Sequence, residues 1–186
     1  MSGVPEAPLE RTPYGLTPTG EGWFVVNLAD APVLRTKPSG RFLPLESEAN
    51  PFTQFGINVH IVEPGEPNAL YHAESNQEAF LVLHGECILV VEEQERRLRR
   101  WDFVHFPPGT RHVVVGAGDG PCAILMVGTR DPDDTLTYPA SEVAAKHGAS
   151  ARATTDSAAE AYGHWDRETT VEAPVWPLDE AGSADQ

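Results

Sequence analysis

Cysteine is scarce in this chain, which holds only Cys87 and Cys122 among its 186 residues. Their spacing matches no metal-binding cysteine motif and both lie inside apolar runs, so we expect two buried thiols rather than a disulfide or a metal site. The run of about 18 apolar residues that a transmembrane helix needs is also missing. The first residues lack the basic start and the apolar stretch of a secretory signal, and we therefore expect a cytoplasmic protein with no membrane partner.

Positive charge is also in short supply. Lysine and arginine number 13 against 28 aspartates and glutamates, which gives a formal net charge of −15 at pH 7. A surface this acidic repels phosphate backbones, so we expect no nucleic-acid partner and consider a small-molecule substrate instead. The one basic run, residues 96–100, directly follows Glu92, Glu93 and Glu95, and ion pairs between the strands of an exposed hairpin explain it.

Glycine and proline are, by contrast, abundant, with 16 and 17 residues. From about residue 52 onward they separate short runs of β-branched and aromatic residues, and no helix-length amphipathic segment lies between these runs. Regularly spaced short strands without intervening helices are typical of an antiparallel sandwich or barrel. The sequence therefore predicts an all-β fold, namely a single antiparallel β-barrel or jelly roll.

Composition divides the chain into three parts. We predict a loose N-terminal arm or an extended strap over residues 1–20, a β-barrel over 21–136 with its core at 52–130, and a C-terminal tail over 137–186 with short helices and a frayed end. A further strand is predicted at Trp23–Leu28, ahead of the core. Residues 87–91 are apolar on both faces, which indicates a barrel packed on a second sheet or on another subunit, and we expect a homodimer.

Two histidines and two glutamates are spaced so that a barrel would bring them together. His72 and Glu74 are two residues apart, which places both on one face of a strand. Glu78 follows as the chain enters the next predicted strand, and His112 comes shortly after a Pro-Pro-Gly turn. If the sheet closes, the four side chains meet inside it, where imidazole and carboxylate groups form a ligand set for one divalent iron, manganese, zinc, nickel or cobalt ion.

Around these residues the chain resembles the two sequence blocks of the cupin superfamily. The first block corresponds to Gly65, His72, Glu74, Glu78 and Gly85, and the second to Trp101, Pro107, Gly109, His112 and Gly116. The resemblance covers about residues 52–130 and implies a small single-barrel cupin. It also implies that His72, Glu78 and His112 bind a metal ion, with Glu74 as the fourth ligand.

Three positions depart from the family pattern. Glu74 stands where the family has a second histidine, Trp101 where it has a glycine, and Gly116 where it has an asparagine. We expect Glu74 to bind the metal ion, to act as a general base beside it, or to hold a cationic group of the substrate there. Since tryptophan fits poorly at a positive φ angle, we expect the turn around Trp101 to differ from that of the family.

The leading hypothesis is a metal-dependent small-molecule enzyme, either a dioxygenase-like oxidoreductase or an isomerase or lyase, with Glu74 as its catalytic residue. Two histidines and a carboxylate are the ligands of non-haem iron oxygenases, which slightly favours the oxidoreductase. The alternative is a barrel without metal that binds a small ligand or has a structural role. His60 and His105 lie in predicted strands, and we interpret each as a satisfied interior or rim histidine, with a hydrogen-bond donor or acid–base group facing the cavity as the alternative.

Overall fold

The computed structural model describes residues 3–174 and consists of short strands with few helical turns. The ladders between the strands are all antiparallel, which confirms the predicted all-β fold. The strands in chain order are β1 (Leu9–Thr12), β2 (Gly15–Pro18), β3 (Val33–Lys37), β4 (Arg41–Pro44), β5 (Phe55–Val62), β6 (Ala73–Glu74), β7 (Glu78–His84), β8 (Glu86–Val91), β9 (Gln94–Arg99), β10 (Phe103–Phe106), β11 (His112–Ala117), β12 (Cys122–Thr129), β13 (Leu136–Thr137) and β14 (Glu168–Glu172). The helical elements are a 3₁₀ turn at Leu28–Asp30 and the single-turn helices α1 (Glu142–Ala145) and α2 (Ala158–Ala161).

Two sheets enclose the barrel. The larger has seven strands in the order β10-β7-β12-β5-β4-β3-β14, and the smaller has three in the order β11-β8-β9. Side chains of alternate parity from both sheets fill the space between them, and Leu89, Val114 and Phe80 belong to this interior core. Cys87 and Cys122 lie in the same core as free, buried thiols, as predicted.

The outer face of the smaller sheet is covered by other parts of the same chain. Val90 and Val113 pack with Tyr71, Ala144 and Ala149 in a second core, and all five are fully buried. Both apolar faces of residues 87–91 are therefore accounted for within one chain, and they no longer argue for a second subunit. The homodimer stays a prediction.

The basic run lies in a hairpin, as the charge pattern predicts. β8 and β9 pair along their full lengths, and Glu92 and Glu93 form the turn with φ angles of 47° and 60°. Arg97 Nε lies 3.1 Å from Glu86 Oε2 across the two strands. This ion pair supports the interpretation for Arg97, and the partner is Glu86 of the neighbouring strand.

The N-terminal segment is a hairpin rather than the predicted loose arm. β1 and β2 pair from Leu9 with Pro18 to Thr12 with Gly15. At Gly15 the backbone lies so close to the following segment that an added Cβ would be 2.6 Å from Asp30 O. Contacts with a later part of the chain order this segment, and a search for local periodicity does not detect such contacts. The other boundaries between the three predicted parts stay predictions.

The prediction of a strand at Trp23–Leu28 was wrong. Trp23 makes only an isolated bridge with Glu6, and the residues after it have no strand partner until the 3₁₀ turn begins at Leu28. Asn27 caps this turn, because its side chain accepts a hydrogen bond from Ala29 N–H. A run of residues that favour strands forms one only where a neighbouring edge is available, and residues 24–27 pair with none.

The C-terminal tail contains the predicted short helices. Ser141 and Ser157 cap them, since each hydroxyl accepts a hydrogen bond from the backbone N–H three residues later. The tail also adds β14, an unpredicted strand that pairs with β3 at the edge of the larger sheet. Residues 175–186, which include the predicted frayed end, lie outside the described residues. Among residues 3–174, no helix has the length and apolar character needed to cross a membrane.

Candidate metal centre

A backbone bridge holds the two histidines side by side. His112 N–H donates to His72 O at 2.8 Å, and His72 N–H donates to His112 O at 3.2 Å. The turn before His112 is fixed to the same region, because Gly109 N–H donates to Glu74 O at 2.7 Å. Gly109 has a φ of 81°, which glycine adopts without strain. The Pro-Pro-Gly turn thus positions His112 against the segment that carries His72 and Glu74.

Glu78 begins β7 and has a different neighbour on each side. It pairs with Gly128 of β12, where an added Cβ would lie 3.4 Å from Glu78 Cγ. It also pairs with Phe106 of β10, whose ring stacks on the His112 ring with 4.0 Å between centroids. Glu78 Oε2 lies 3.2 Å from His112 Nε2. The glycine leaves room for the carboxylate, and the phenylalanine fixes the plane of the imidazole beside it.

Three of the four predicted ligands come together. One nitrogen or oxygen atom from each of His72, Glu78 and His112 lies within 4.8 Å of the others. Atoms this close can share one divalent ion after a small movement of the side chains. His112 is 1% exposed and His72 is 9% exposed, so the group lies inside the barrel rather than on its surface.

The ring orientation of both histidines suits metal binding. His72 Nδ1 lies 2.7 Å from Leu70 O, and His112 Nδ1 lies 3.0 Å from Thr110 O. A backbone carbonyl only accepts hydrogen bonds, so these contacts assign the proton to Nδ1 and leave the lone pair on Nε2. The Nε2 atom of His112 is buried without a hydrogen-bond partner, although it faces the Glu78 carboxylate. A proton or a metal ion between two groups that both accept would satisfy them, and the residues present fit a metal ion.

The negative charge around His72 favours a cation at this place. Burial lowers the pKa of His72 and is the largest single contribution. Hydrogen bonds to Glu74 and to Leu70 O, together with the charges of Glu78 and Glu74, outweigh burial and raise the pKa above its ordinary value. The same carboxylates that stabilise a proton on the ring would stabilise a divalent ion in its place.

Glu74 lies next to this group but outside the 4.8 Å cluster. Its Oε1 is 3.5 Å from His72 Nε2, and its side chain is 24% exposed. It also lines the cavity in front of the site. Whether Glu74 binds the ion or acts as a base beside it stays a prediction.

The cavity in front of the site, called here the metal-site cavity, has a volume of about 660 Å³. Its walls carry the carboxylates of Glu74, Glu78, Asp131 and Asp134 and one guanidinium, that of Arg130. Arg130 is bound to the Glu46 carboxylate and donates to Phe52 O at 2.5 Å. The cavity is therefore acidic unless an ion is bound, and a small polar molecule fits it.

The two strand histidines have different environments. His105 is exposed, whereas its neighbour Phe106 is buried in the interior core, so His105 does not face the cavity. His60 lines the metal-site cavity and stacks on Phe42 with 5.7 Å between ring centroids. Its Nδ1 is buried without a partner, and burial lowers its pKa to about 4. An unsatisfied buried group costs about 1–3 kcal/mol, so the interpretation of His60 as a satisfied rim histidine was wrong.

Asn58 is a cavity residue that the sequence analysis missed. Its Oδ1 is also buried without a partner, and the side chain lines the metal-site cavity. The available signal was its parity, because Asn58 lies two residues before His60 and so shares its face of β5. Parity alone identifies a face, and only the closed barrel shows that this face is the inner one.

Trp101 occupies a turn with positive φ, contrary to expectation. Its φ is 76°, and its N–H donates to Val82 O at 2.8 Å. The side chain is 64% exposed, and the Arg100 guanidinium lies 4.8 Å from the ring centroid. The turn therefore keeps the glycine-like conformation while holding a tryptophan, which costs about 1–2 kcal/mol of backbone strain. The exposed position lets the ring lie outside the barrel without a clash.

The structure is an antiparallel β-barrel with a buried group of two histidines and a carboxylate that could hold a metal ion, and comparison with known proteins shows what its central part resembles. Residues 58–128 match the family model described as the cupin domain. Residues 58–128 of this chain thus form a cupin domain, as the resemblance implied. No curated protein sequence matches the chain significantly.

Solved structures show similar barrels. A polyketide cyclase from Streptomyces resistomycificus is 18% identical, with a TM-score of 0.51 over 59% of this chain and 82% of that one, and it shows the same fold. A sugar phosphate isomerase of the cupin superfamily from Silicibacter pomeroyi is 30% identical, with a TM-score of 0.48 over 59% of this chain and 66% of that one. A protein from Acidithiobacillus ferrooxidans is 29% identical, with a TM-score of 0.43 over 45% of this chain and 55% of that one. This chain therefore spans 66% and 55% of the lengths of the last two proteins.

Proposed function

We propose that this protein is a metal-dependent enzyme that acts on a small polar molecule. It holds one divalent ion of iron, manganese, zinc, nickel or cobalt through His72, Glu78 and His112. The observation that carries the proposal is the buried Nε2 of His112, which has no hydrogen-bond partner and faces a carboxylate 3.2 Å away. The backbone carbonyls that hold both Nδ1–H groups support it, because they leave the two Nε2 lone pairs free for an ion.

A bound divalent ion would supply Lewis-acid polarisation of the substrate, and iron would add redox chemistry. The chain's own contribution begins with Glu74, whose carboxylate lines the cavity beside His72 and can accept a proton from a substrate held there. Phe80 and Phe106 pack on the His112 ring and keep water away from that side of the site. This arrangement of residues is compatible with a dioxygenase-like oxidation, an isomerisation or a lyase reaction, and we propose that the enzyme catalyses one of these three.

Metal content tests the proposal directly. We expect near-stoichiometric metal in the purified wild-type protein, measured by mass spectrometry after dialysis. His112→Ala removes a ligand whose side chain is almost completely buried, and we expect its affinity for the ion to fall by at least about tenfold, the lower end of what loss of a metal-site residue costs. Glu78→Gln keeps the shape of the side chain and should have a similar effect, because a carboxamide is a much poorer ligand for a divalent ion.

His105→Ala is the matched control, because it removes an exposed histidine from a strand of the same barrel. Circular dichroism checks that every variant is folded. A folded His112→Ala protein that keeps the wild-type metal content would contradict the proposal. Wild-type protein without metal would favour the alternative, a barrel that binds a small ligand or has a structural role. The cytoplasmic location, the homodimer and the absence of a nucleic-acid partner are untested and stay predictions.

A further inference from the structure

A second cavity adjoins the metal-site cavity. Its volume is about 210 Å³, and the two cavities share the side chains of Asn58, His60 and Asn68. Its other walls come from the β3–β4 region and from the C-terminal tail, and they are formed by Thr36, Ser39, Phe42, Tyr162 and Arg167. We call it the adjoining cavity. A molecule bound at the metal site would therefore lie beside a second pocket, which residues of the tail help to form.

The shared wall holds polar atoms that no part of the described chain satisfies. Asn58 Oδ1 and His60 Nδ1 are buried without a hydrogen-bond partner, and together with His112 Nε2 they are all such side-chain atoms within residues 3–174. Asn68 differs, because its Oδ1 accepts from Val114 N–H at 2.9 Å. The Asn68 side chain is thus fixed to the backbone of β11, while Asn58 and His60 can still form hydrogen bonds with a ligand.

The charge of the adjoining cavity is opposite to that of the metal-site cavity. Arg167 is its single charged lining residue, and no carboxylate lines it. The Arg167 guanidinium lies 4.8 Å from the centroid of the Tyr162 ring, and no ion pair joins it to an acidic side chain in the described part of the chain. Tyr162 is itself held in place, since its hydroxyl accepts from Leu70 N–H at 3.1 Å. Arg167 is exposed, and in a protein with a formal net charge of −15 a guanidinium at a cavity wall without an acidic partner among residues 3–174 is suited to an anionic ligand.

We propose that the adjoining cavity is a subsite for the anionic group of the substrate, a carboxylate or a phosphate, which Arg167 binds. The Asn58 amide, turned to present its Nδ2, and an N–H of His60 complete the hydrogen bonds to the anion. The substrate is then a small molecule with two functional ends: a polar reacting group at the metal site and an anionic group beside Arg167. This inference deepens the proposed function and rests on it for the reacting end only.

Anion binding to the full-length, metal-loaded protein tests the subsite. Inorganic phosphate and, separately, acetate are titrated at constant ionic strength, and binding is followed by two-dimensional NMR of the side-chain amide and guanidinium signals. We expect saturable binding of at least one anion, with shifts of the Asn58 amide and Arg167 Nε–H signals, and the stronger binder identifies the source of the anion. Arg167→Gln should weaken binding at least about tenfold, the loss expected when a charge-assisted hydrogen bond is removed. Arg152→Gln removes the same charge from an exposed part of the tail and should leave the affinity unchanged.

A third variant separates this inference from the proposed metal site. In His112→Ala protein, anion binding with loss of metal supports both proposals, and anion binding with metal retained contradicts only the metal site. If Arg167→Gln binds phosphate and acetate as tightly as the wild type, or if neither anion gives saturable binding, the subsite is refuted. If the affinity for the anion is lost in His112→Ala but kept in Arg167→Gln, the anion binds to the metal ion, and the subsite is refuted as well.

Discussion

At the residue scale, the two histidines of the metal centre are oriented by their own local backbone. In each case Nδ1 contacts the carbonyl oxygen two residues earlier, that of Leu70 for His72 and that of Thr110 for His112. The tautomer therefore follows from the conformation of two short segments rather than from contacts made by an ion. A metal ion would meet ligands whose protonation and ring orientation are already set, which reduces the cost of binding.

His60 should make the stability of the fold depend on pH. Burial lowers its pKa to about 4 from an ordinary value of 6.5, so between these two pH values the unfolded chain binds a proton that the folded protein does not. The contribution of His60 to the free energy of unfolding is complete above about pH 6.5 and is lost as the pH falls towards 4. At pH 5 the loss amounts to about 2 kcal/mol.

Urea denaturation at pH 7 and pH 5 measures this effect. His60→Gln removes the titrating group, so on going from pH 7 to pH 5 the wild type should lose about 2 kcal/mol more than the variant does. The comparison between the two proteins cancels the titration of all other groups, including His72, whose pKa is raised. Equal losses in both proteins would show that His60 is not held neutral in the folded state.

At the element scale, the strands of the barrel can be predicted from the sequence, but the segments that pack on the outside of the barrel cannot. Short apolar runs bounded by glycine and proline predict the central strands β5, β7, β8, β11 and β12, because the burial of each strand is visible in the pattern of its own residues. The spacing of His72, Glu74 and Glu78 likewise reflects local geometry and predicts the candidate metal centre, to which the structure brings His72 and Glu78 together with His112. The adjoining cavity is different, because it forms only when Tyr162 and Arg167 of the distant tail pack near β5. Single-sequence patterns carry no signal for contacts of that range.

Helix α1 covers the smaller sheet, and its cap should contribute to stability. Ser141 Oγ accepts from Ala144 N–H at 3.0 Å and donates to Glu93 Oε2 at 2.8 Å, and Ser141 is only 5% exposed. Ser141→Ala leaves the buried amide of Ala144 without a partner and removes a contact to the β8–β9 turn. We expect the free energy of unfolding to fall by about 1–2 kcal/mol in urea denaturation.

The second helix provides the control for this prediction. Ser157 Oγ accepts from Glu160 N–H at a longer distance of 3.3 Å, and neither residue is buried. Ser157→Ala should therefore cost less, about 0.5 kcal/mol, because water can replace the cap. A larger loss for Ser157→Ala than for Ser141→Ala would mean that the cap of α1 does not depend on its burial against the barrel.

At the scale of the whole molecule, the chain wraps its barrel with its own two ends. The N-terminal part supplies Val33 and Leu43 to a core with Val59 and Ile61 on the outer face of the larger sheet. The tail covers the smaller sheet and ends, within the described residues, as β14 on the edge of the larger one. The chain's own segments thereby cover the outer faces of both sheets, while some apolar side chains, among them Trp101 and Phe103, stay exposed.

This excess of negative charge should make the folded protein sensitive to salt. With a formal net charge of −15 at pH 7, the compact state brings like charges together, and dissolved ions screen their repulsion. Raising sodium chloride from 0.05 to 0.5 M, a range of about tenfold chosen to shorten the screening length, should stabilise the fold by about 1–2 kcal/mol and raise Tm by about 3–6 °C in a thermal scan. The sequence pI of about 4.7 supplies the control, because the net charge is small at pH 5 and the same salt should then have little effect. A gain in Tm of equal size at both pH values would assign the effect to general salting-out of apolar surface rather than to charge repulsion.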